Sequence, residues 1–255
     1  MEYSFVHPGA KIGKNTVIEP FCYIAENVEI GDNCHIGPHA TIFDYARIGD
    51  GCKVFPGAVI GAEPQDLKFN GEVTYVEIGC NTTIRECATI NRGTAASGKF
   101  VTKVGSNCLI MSYVHIAHDC SVGNNCIFSS YAAVAGETDV DDWAILGGGA
   151  LCHQFSRIGA HSMVGGASAV NKDVPPYVIA ARNPFSFEGI NIVGLRRRGF
   201  NNAAIEEIRE IYRVIYDEGE NVSDACRRVE SAFPDSDYKR NILNFIQASK
   251  RGIVK

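Results

Sequence analysis

The 255-residue chain lacks several features that mark common classes of protein. No apolar stretch approaches the ~20 residues that a membrane-spanning helix needs. The first residues contain no basic segment followed by an apolar run, so they do not form a secretory signal. The formal net charge of −5 disfavours nucleic acid as a partner. These absences predict a cytoplasmic protein with no membrane span and no nucleic-acid partner.

Cysteine pairs of the metal-binding type are also missing, although the chain has ten cysteines. No two of them are separated by two residues, which excludes a zinc or redox motif of the C-x-x-C type. Six recur at one small position of the repeat described below, and a seventh takes an aliphatic position: Cys22, Cys34, Cys52, Cys108, Cys120, Cys126 and Cys152. These cysteines are therefore predicted to act as small core residues.

What the sequence does contain is an aliphatic residue at every sixth position. The series runs from Val6 to Ile60, from Ile78 to Ile90, and from Val104 to Val170. A period of six fits neither an α-helix nor a flat sheet, and it indicates a parallel β-helix built from hexapeptides. Three hexapeptides make one coil, so residues eighteen apart are expected to lie above one another at ~4.8 Å.

The repeat is interrupted twice, at residues 62–74 and 92–103. A regular solenoid accommodates extra residues only as loops that leave a corner. Both segments are therefore predicted to be external loops, which is where binding and catalytic residues collect.

After Val170 the six-residue period ends, and an irregular connector leads into a helical tail. We predict a β-helix domain over residues 1–190 and a C-terminal helical domain over residues 191–255. The first predicted helix is capped by Asn201 or Asn202 and ends at Gly219. Two more are expected to begin near Ser223 and near Ser236.

One stretch of the repeat carries polar chemistry. With an eighteen-residue stacking, His118, Gly136 and Gln154 form an outward-facing column. Asp119 follows His118 and is suited to orient its ring, as carboxylates do for catalytic imidazoles. His153 occupies a position at which the neighbouring coils have alanine, a departure from the pattern that is typical of functional sites.

Four motifs in this order resemble one family: Gln-Asp-Leu-Lys at 65–68, His-Ile-Ala-His-Asp at 115–119, Val-Pro-Pro-Tyr-Val-Ile-Ala at 174–180 and Gly-Leu-Arg-Arg-Arg-Gly-Phe at 194–200. Together they resemble the UDP-N-acetylglucosamine O-acyltransferases of lipid A biosynthesis. The resemblance implies a mainly β fold, a left-handed parallel β-helix with a C-terminal α-helical domain. It also implies a homotrimer with active sites between subunits.

The resemblance further implies transfer of a 3-hydroxyacyl chain to the 3-hydroxyl of UDP-N-acetylglucosamine. The donor would be the phosphopantetheine thioester of acyl carrier protein, with no metal or other cofactor. His118 would be the general base, Asp119 its partner, and the Gly136 amide would stabilise the oxyanion.

Substrate-binding roles are implied for a further set of residues. Asp66 and Lys68 would reach the sugar from the adjacent subunit, and His115 would hold the acceptor or the acyl chain. The remaining contacts, to acceptor, acyl group or phosphates, would come from His153, Gln154, Asn191, Arg197 and Arg198. Gly166 matches a position where side-chain size limits acyl length.

The chain departs from its relatives at Asn91 and Glu137, where some members of the family have histidine. Glu137 should stack over Asp119, and two carboxylates one coil apart predict a raised pKa for one of them.

Acyl carrier protein is acidic, so docking requires a basic surface. Arg196, Arg197 and Arg198, together with Arg157, Lys172 and Arg182, are predicted to supply it.

Three alternatives stay open. A zinc enzyme of the γ-carbonic anhydrase type shares the fold, but its histidine pair is five residues apart, whereas His115 and His118 are three apart. A related N-acyltransferase carries an extra N-terminal domain, for which a repeat that begins at Val6 leaves no room. A purely structural or ice-binding solenoid would not need the loops or His153.

Overall fold

The computed structural model describes residues 3–216 and 221–255. Most of the chain winds into a left-handed parallel β-helix with three sheets as its faces, followed by short α-helices. Every aliphatic position of the predicted series lies in one of the strands β1–β25, whose bounds follow. The six-residue rhythm therefore predicted both the elements and their spacing.

The first sheet has nine strands. In spatial order they are β1 (Phe5–Val6), β4 (Tyr23–Ile24), β7 (Thr41–Ile42), β10 (Val59–Ala62), β13 (Thr89–Asn91), β16 (His115–Ile116), β19 (Ala133–Val134), β22 (Leu151–Cys152) and β25 (Ala169–Val170).

The second sheet has eight strands. They are β2 (Lys11–Ile12), β5 (Glu29–Ile30), β8 (Ala46–Ile48), β11 (Tyr75–Ile78), β14 (Val101–Val104), β17 (Ser121–Val122), β20 (Asp139–Val140) and β23 (Arg157–Ile158).

The third sheet has ten strands. They are β3 (Val17–Ile18), β6 (His35–Ile36), β9 (Lys53–Val54), β12 (Thr83–Ile84), β15 (Leu109–Ile110), β18 (Ile127–Phe128), β21 (Ile145–Leu146), β24 (Met163–Val164), β26 (Val178–Ala181) and β27 (Ser186–Ile190). Only the last pair, β26 and β27, is antiparallel.

The coils stack in the predicted register. His115 pairs with Ala133, which pairs with Leu151, so each step is eighteen residues. The aliphatic residue of each strand points inward: Ile116 and Val134, for example, are fully buried. The core is a set of aliphatic columns running along the axis of the β-helix.

The cysteines at the small position are buried, as predicted. Five of the six thiols also contact a carbonyl fifteen residues further along the chain, as Cys108 Sγ does with Gly123 O at 3.2 Å and Cys126 Sγ with Asp141 O at 3.2 Å. Cysteine is thus small enough for the corner and adds a weak hydrogen bond to the next coil.

The C-terminal segment contains four helices, of which the sequence predicted three. The unpredicted one is α1, Ile192–Arg197, capped by Asn191. The others are α2 (Asn202–Ile215), α3 (Val222–Ala232) and α4 (Asp237–Gln247). Asn201 caps α2 and Ser236 caps α4, whereas Gly219 lies outside the described residues. In the described part of the chain no helix is long and apolar enough to cross a membrane.

Both loops leave the β-helix at the same edge. Residues 62–74 begin at the last residue of β10 and residues 92–103 follow β13 and run into β14, so each segment connects the first sheet to the second. Ala62 and residues 101–103, predicted as loop, are strand residues. On the next three coils the same corner carries His118, Gly136 and Gln154. We call residues 62–74 the first loop and residues 92–103 the second loop.

Candidate active site

His118 lies outside the aliphatic core, at the corner after β16, yet it is only 8% exposed. Its Nδ1 lies 2.8 Å from Asp119 Oδ2, and its Nε2 lies 4.0 Å from Asp66 Oδ2 in the first loop. A carboxylate can only accept, so Nδ1 carries the proton and the neutral ring keeps its lone pair on Nε2. This is the tautomer that a general base needs.

The charge state of the ring is set by its carboxylate neighbours. The hydrogen bond to Asp119 raises the pKa of His118 above its ordinary value, and the charges of Asp66 and Glu137 act in the same direction against the effect of burial. Burial pushes the pKa of Asp119 upward, but its hydrogen bonds outweigh this, and the pKa lies below the ordinary value. For Asp119 the expected rise from a stacked Glu137 is therefore wrong.

Gly136 lies directly above the imidazole. A Cβ at this residue would come within 2.5 Å of His118 Cε1 and 2.6 Å of Nε2, so only glycine leaves space for the ring. At the corner between the second and third sheets, amides at the same repeat position donate to a side chain eighteen residues later, as Ser106 N does to Asn124 Oδ1 at 2.8 Å. The corner that carries Gly136 has no such bond between described residues. Within the described residues, the amide of the buried Gly136 has no acceptor.

A cleft of about 400 Å³ opens beside this column. His115, His118, Gly136 and Gln154 all line it, so the structure brings together these four predicted residues. His115 Nδ1 lies 2.7 Å from Thr89 Oγ1. Burial lowers the pKa of His115, and the nearby His118 lowers it further. His115 is therefore a neutral hydrogen-bonding group rather than a charge.

The first loop covers the cleft of its own chain. Asp66, expected to act from the adjacent subunit, lies beside His118 of the same chain, because Asn91 Nδ2 donates to Ala62 O and Glu63 O and holds the loop base down. Lys68 is exposed, and its amide donates to Asp66 Oδ1.

The remaining predicted residues lie outside the lining of this cleft. His153 is exposed and its Nδ1 lies 3.0 Å from Gln154 O. Asn191 is buried, and its side chain caps α1 and donates to His161 O. Arg197 is exposed, Arg198 stacks on Trp143, and Gly166 is an exposed corner residue next to Gly148.

Sequence reasoning missed Gln65, which lines the cleft, and the residues of the second loop that bind Asp119. Gln65 precedes Asp66 in the chain, so its position next to a predicted site residue could have identified it. Thr94 and Ser97 gave none, because small polar loop residues are usually solvated.

Three residues of the predicted basic surface have partners. Arg157 donates to Phe245 O, Lys172 donates to Arg251 O, and Arg182 pairs with Glu188. Arg196 and Arg197 are exposed cations in the last turn of the short α1.

A larger cavity of about 750 Å³ lies between α3, α4 and the last residues, but its lining contains no histidine. Among the described residues, no three His, Cys, Asp or Glu side chains converge as metal ligands would.

Two sequence profiles match the chain. Residues 173–254 match domain 2 of the UDP-N-acetylglucosamine O-acyltransferases. Residues 9–44 and 102–136 match the bacterial transferase hexapeptide repeat.

Two curated proteins are similar over most of the chain, and both are named acyl-(acyl-carrier-protein)–UDP-N-acetylglucosamine O-acyltransferase. The one from Nautilia profundicola is 44% identical over 196 residues, which is 77% of this chain and 75% of that protein. The one from Burkholderia lata is 44% identical over 202 residues, 78% of this chain and 77% of that protein.

Solved structures agree over the full length. A UDP-N-acetylglucosamine acyltransferase from Bacteroides fragilis superposes with a TM-score of 0.97 at 51% identity, covering 100% of this chain and 99% of the other. One from Francisella novicida gives 0.96 at 39% identity, covering 100% and 93%.

Proposed function

The chain belongs to the acyl-(acyl-carrier-protein)–UDP-N-acetylglucosamine O-acyltransferase family, and we propose that it transfers a 3-hydroxyacyl chain to the 3-hydroxyl of UDP-N-acetylglucosamine, the first step of lipid A biosynthesis. The observation that carries the chemistry is the pairing of an Nδ1-protonated His118 with an unpartnered, buried amide at Gly136.

In the proposed reaction, His118 Nε2 removes the proton from the sugar hydroxyl as the oxygen attacks the thioester carbonyl. A C–O bond forms and the carbonyl oxygen becomes an oxyanion, which accepts a hydrogen bond from the Gly136 amide. When the intermediate collapses, the C–S bond breaks and the proton on Nε2 passes to the departing phosphopantetheine sulfur. The products are the acylated sugar and the free carrier thiol, and no metal or further cofactor is needed.

Asp119 supports this cycle by holding the ring and by stabilising the imidazolium that forms after the proton is removed. Asp66, close to Nε2, and His115, close to Thr89, supply hydrogen-bonding groups for the sugar. Lys68 lies in the same loop as Asp66 and is proposed to contact the same ligand. Gln154, at the end of the column, is proposed to meet the acyl group.

The residues outside the cleft are proposed to act through a second copy of the chain. His153, Asn191, Arg197 and Arg198 would then face the cleft of a neighbouring subunit in a homotrimer, with the two arginines on phosphate groups. The side chain of Asn191 already caps α1 and donates to His161 O, so only its remaining hydrogen-bonding positions would face the neighbouring subunit. Gly166 is proposed to leave room for a long acyl chain.

Docking of acyl carrier protein is proposed to use the exposed Arg196 and Arg197, whose charge complements an acidic partner. A cytoplasmic location is part of the proposal. The ten free thiols agree with a reducing compartment.

The test is an assay of the purified protein with UDP-N-acetylglucosamine and 3-hydroxyacyl carrier proteins of graded length. His118→Ala is expected to lower kcat by roughly 10³-fold, in the range of general base catalysis. The control is His35→Ala, an exposed histidine on β6, which should leave kcat unchanged. Near-normal kcat in His118→Ala would refute the proposed base.

A further inference from the structure

The carboxylate of Asp119 is completely buried and its four acceptor positions are filled. Oδ1 accepts from Thr94 N at 2.8 Å and from Ser97 Oγ at 2.7 Å. Oδ2 accepts from Thr94 Oγ1 at 2.7 Å and from His118 Nδ1 at 2.8 Å. A carboxylate has about four lone-pair sites. Three of the four donors therefore come from the second loop and only one comes from the ring that the carboxylate orients.

The backbone of Asp119 is held by the same segment. Its amide donates to Thr102 Oγ1 at 2.7 Å, and its carbonyl accepts from Lys99 Nζ at 3.1 Å. Lys99 also forms an ion pair with Asp139, one coil further on, at 3.1 Å. Asp119 has a φ of +61°, the left-handed conformation that the chain also adopts at the equivalent corner position of other coils, as at Asn125 and Glu137.

The second loop is itself fastened to the first. Glu72 Oε1 accepts from Ala95 N at 2.9 Å, next to Thr94. Ser97 N and Lys99 N donate to Thr94 Oγ1 and Ser97 Oγ at 3.3 and 3.0 Å. The Thr94 hydroxyl, which accepts from Ser97 N, therefore points its proton at Asp119. The Ser97 hydroxyl has Asp119 Oδ1 at 2.7 Å and Thr94 O at 3.1 Å as acceptors, and the carboxylate is the nearer.

Loss of these donors would change the protonation of Asp119 and, through it, the tautomer of His118. A buried carboxylate with few hydrogen bonds favours its protonated form. A protonated or rotated Asp119 could no longer fix the proton on Nδ1 of His118, and the lone pair on Nε2 would be lost in a fraction of molecules. The second loop thus bears on the base without touching any reacting atom.

We propose that Thr94 and Ser97 are positioning residues of the acyl transfer, acting through Asp119 to keep His118 in its basic tautomer. The inference rests on the proposed function, since it matters only if His118 is the base. Their role is separate from the contacts of the first loop, because neither residue lines the cleft.

The test uses Thr94→Val, which removes the hydroxyl and keeps the shape and the backbone donor. We expect kcat to fall about tenfold, as for loss of a hydrogen bond to a charged group, with KM changed less than about twofold. Thr94→Ser should restore most of kcat. The matched control is Thr82→Val, because Thr82 is equally buried and its Oγ1 donates to Gly105 O at 2.8 Å, away from the site. It should leave kcat unchanged.

A double-mutant cycle separates positioning from general loosening of the loop. In an Asp119→Asn background, Thr94→Val should lower kcat little further, because its effect passes through the carboxylate. Ser97→Ala, at a half-buried position, provides the same measurement should Thr94→Val fold poorly. Wild-type kcat in both variants, or a full additional loss in the Asp119→Asn background, would overturn the inference. If His118→Ala retained activity, the proposed role of His118 as general base would be refuted instead.

Discussion

At the residue scale, one imidazole stands between two carboxylates of different exposure. Asp119 is fully buried and saturated with donors, whereas the side chain of Asp66 is 19% exposed and lies 4.0 Å from Nε2. The first fixes the ring and its tautomer. The second accepts from Lys68 N at Oδ1 and faces Nε2 of His118 with Oδ2, which is left for a substrate hydroxyl, while its charge favours a protonated ring. The two acids therefore divide orientation and charge between them.

Asp66→Asn should shift the pH dependence of the reaction. Negative neighbours raise the pKa of His118, so removing one lowers that pKa, and less of the base is protonated at a given pH. The pH dependence of kcat/KM reports the pKa values of the free enzyme. In a profile measured from pH 5 to 9, its acidic limb is expected to move to lower pH. Glu63→Gln is the control, because Glu63 is an exposed acid of the same loop. A shift to higher pH would contradict the assignment.

At the element scale, the sequence predicted the hexapeptide strands and the places of the two loops, but not the contacts that the loops make. Each strand is specified by one aliphatic residue, such as Ile36 or Ile116, whose burial depends only on position within the repeat. The contacts of Thr94 and Ser97 depend on how a non-repeating segment returns to Asp119, which no local pattern encodes. The helix α1 was missed because it is short and contains Gly194, a poor helix former.

The same distinction between the repeat and the loops applies to the residues of the candidate site. The column of His118, Gly136 and Gln154 was predictable because it is a consequence of the eighteen-residue register. The position of Asp66 beside its own His118 was not, because it depends on the hydrogen bonds from Asn91 to the loop base.

Ile36→Ala should destabilise the β-helix far more than His35→Ala, the same substitution at its neighbour on the strand. Ile36 is fully buried, and removing a buried Ile side chain costs about 2–5 kcal/mol. His35→Ala on the outward side of β6 should change the free energy of unfolding by less than about 0.5 kcal/mol. Denaturant titration at a fixed protein concentration measures both. Equal losses would mean that the inward columns do not carry the stability.

At the scale of the whole molecule, the outward faces of the sheets differ in chemistry. The second sheet presents alternating charges, with Lys11 and Arg47 both pairing with Glu29. The third sheet instead presents half-buried aliphatic side chains on its later coils: Leu109, Ile127, Ile145 and Met163. A row of this kind is suited to contact with another copy of the chain, which supports the proposed trimer.

Ile127→Glu should therefore abolish assembly and, with it, activity. A charge in an apolar interface is desolvated without a partner, and the trimer is expected to dissociate. Light scattering gives the mass, and acyl transfer is measured on the same samples. Ser121→Glu, an outward residue of the second sheet, is the matched control and should keep both. A stable, active trimer with Glu at 127 would exclude this face from the interface.

The corner between the first and second sheets has one last consequence. Between β1 and β25 the other two corners keep a constant spacing, and extra residues enter only at this one, on the two coils that precede His118. The chain is therefore lengthened only on the side of the proposed active site. We expect changes in the length of either loop to alter substrate selectivity and to leave the number of coils unchanged, so that selectivity and scaffold can evolve separately.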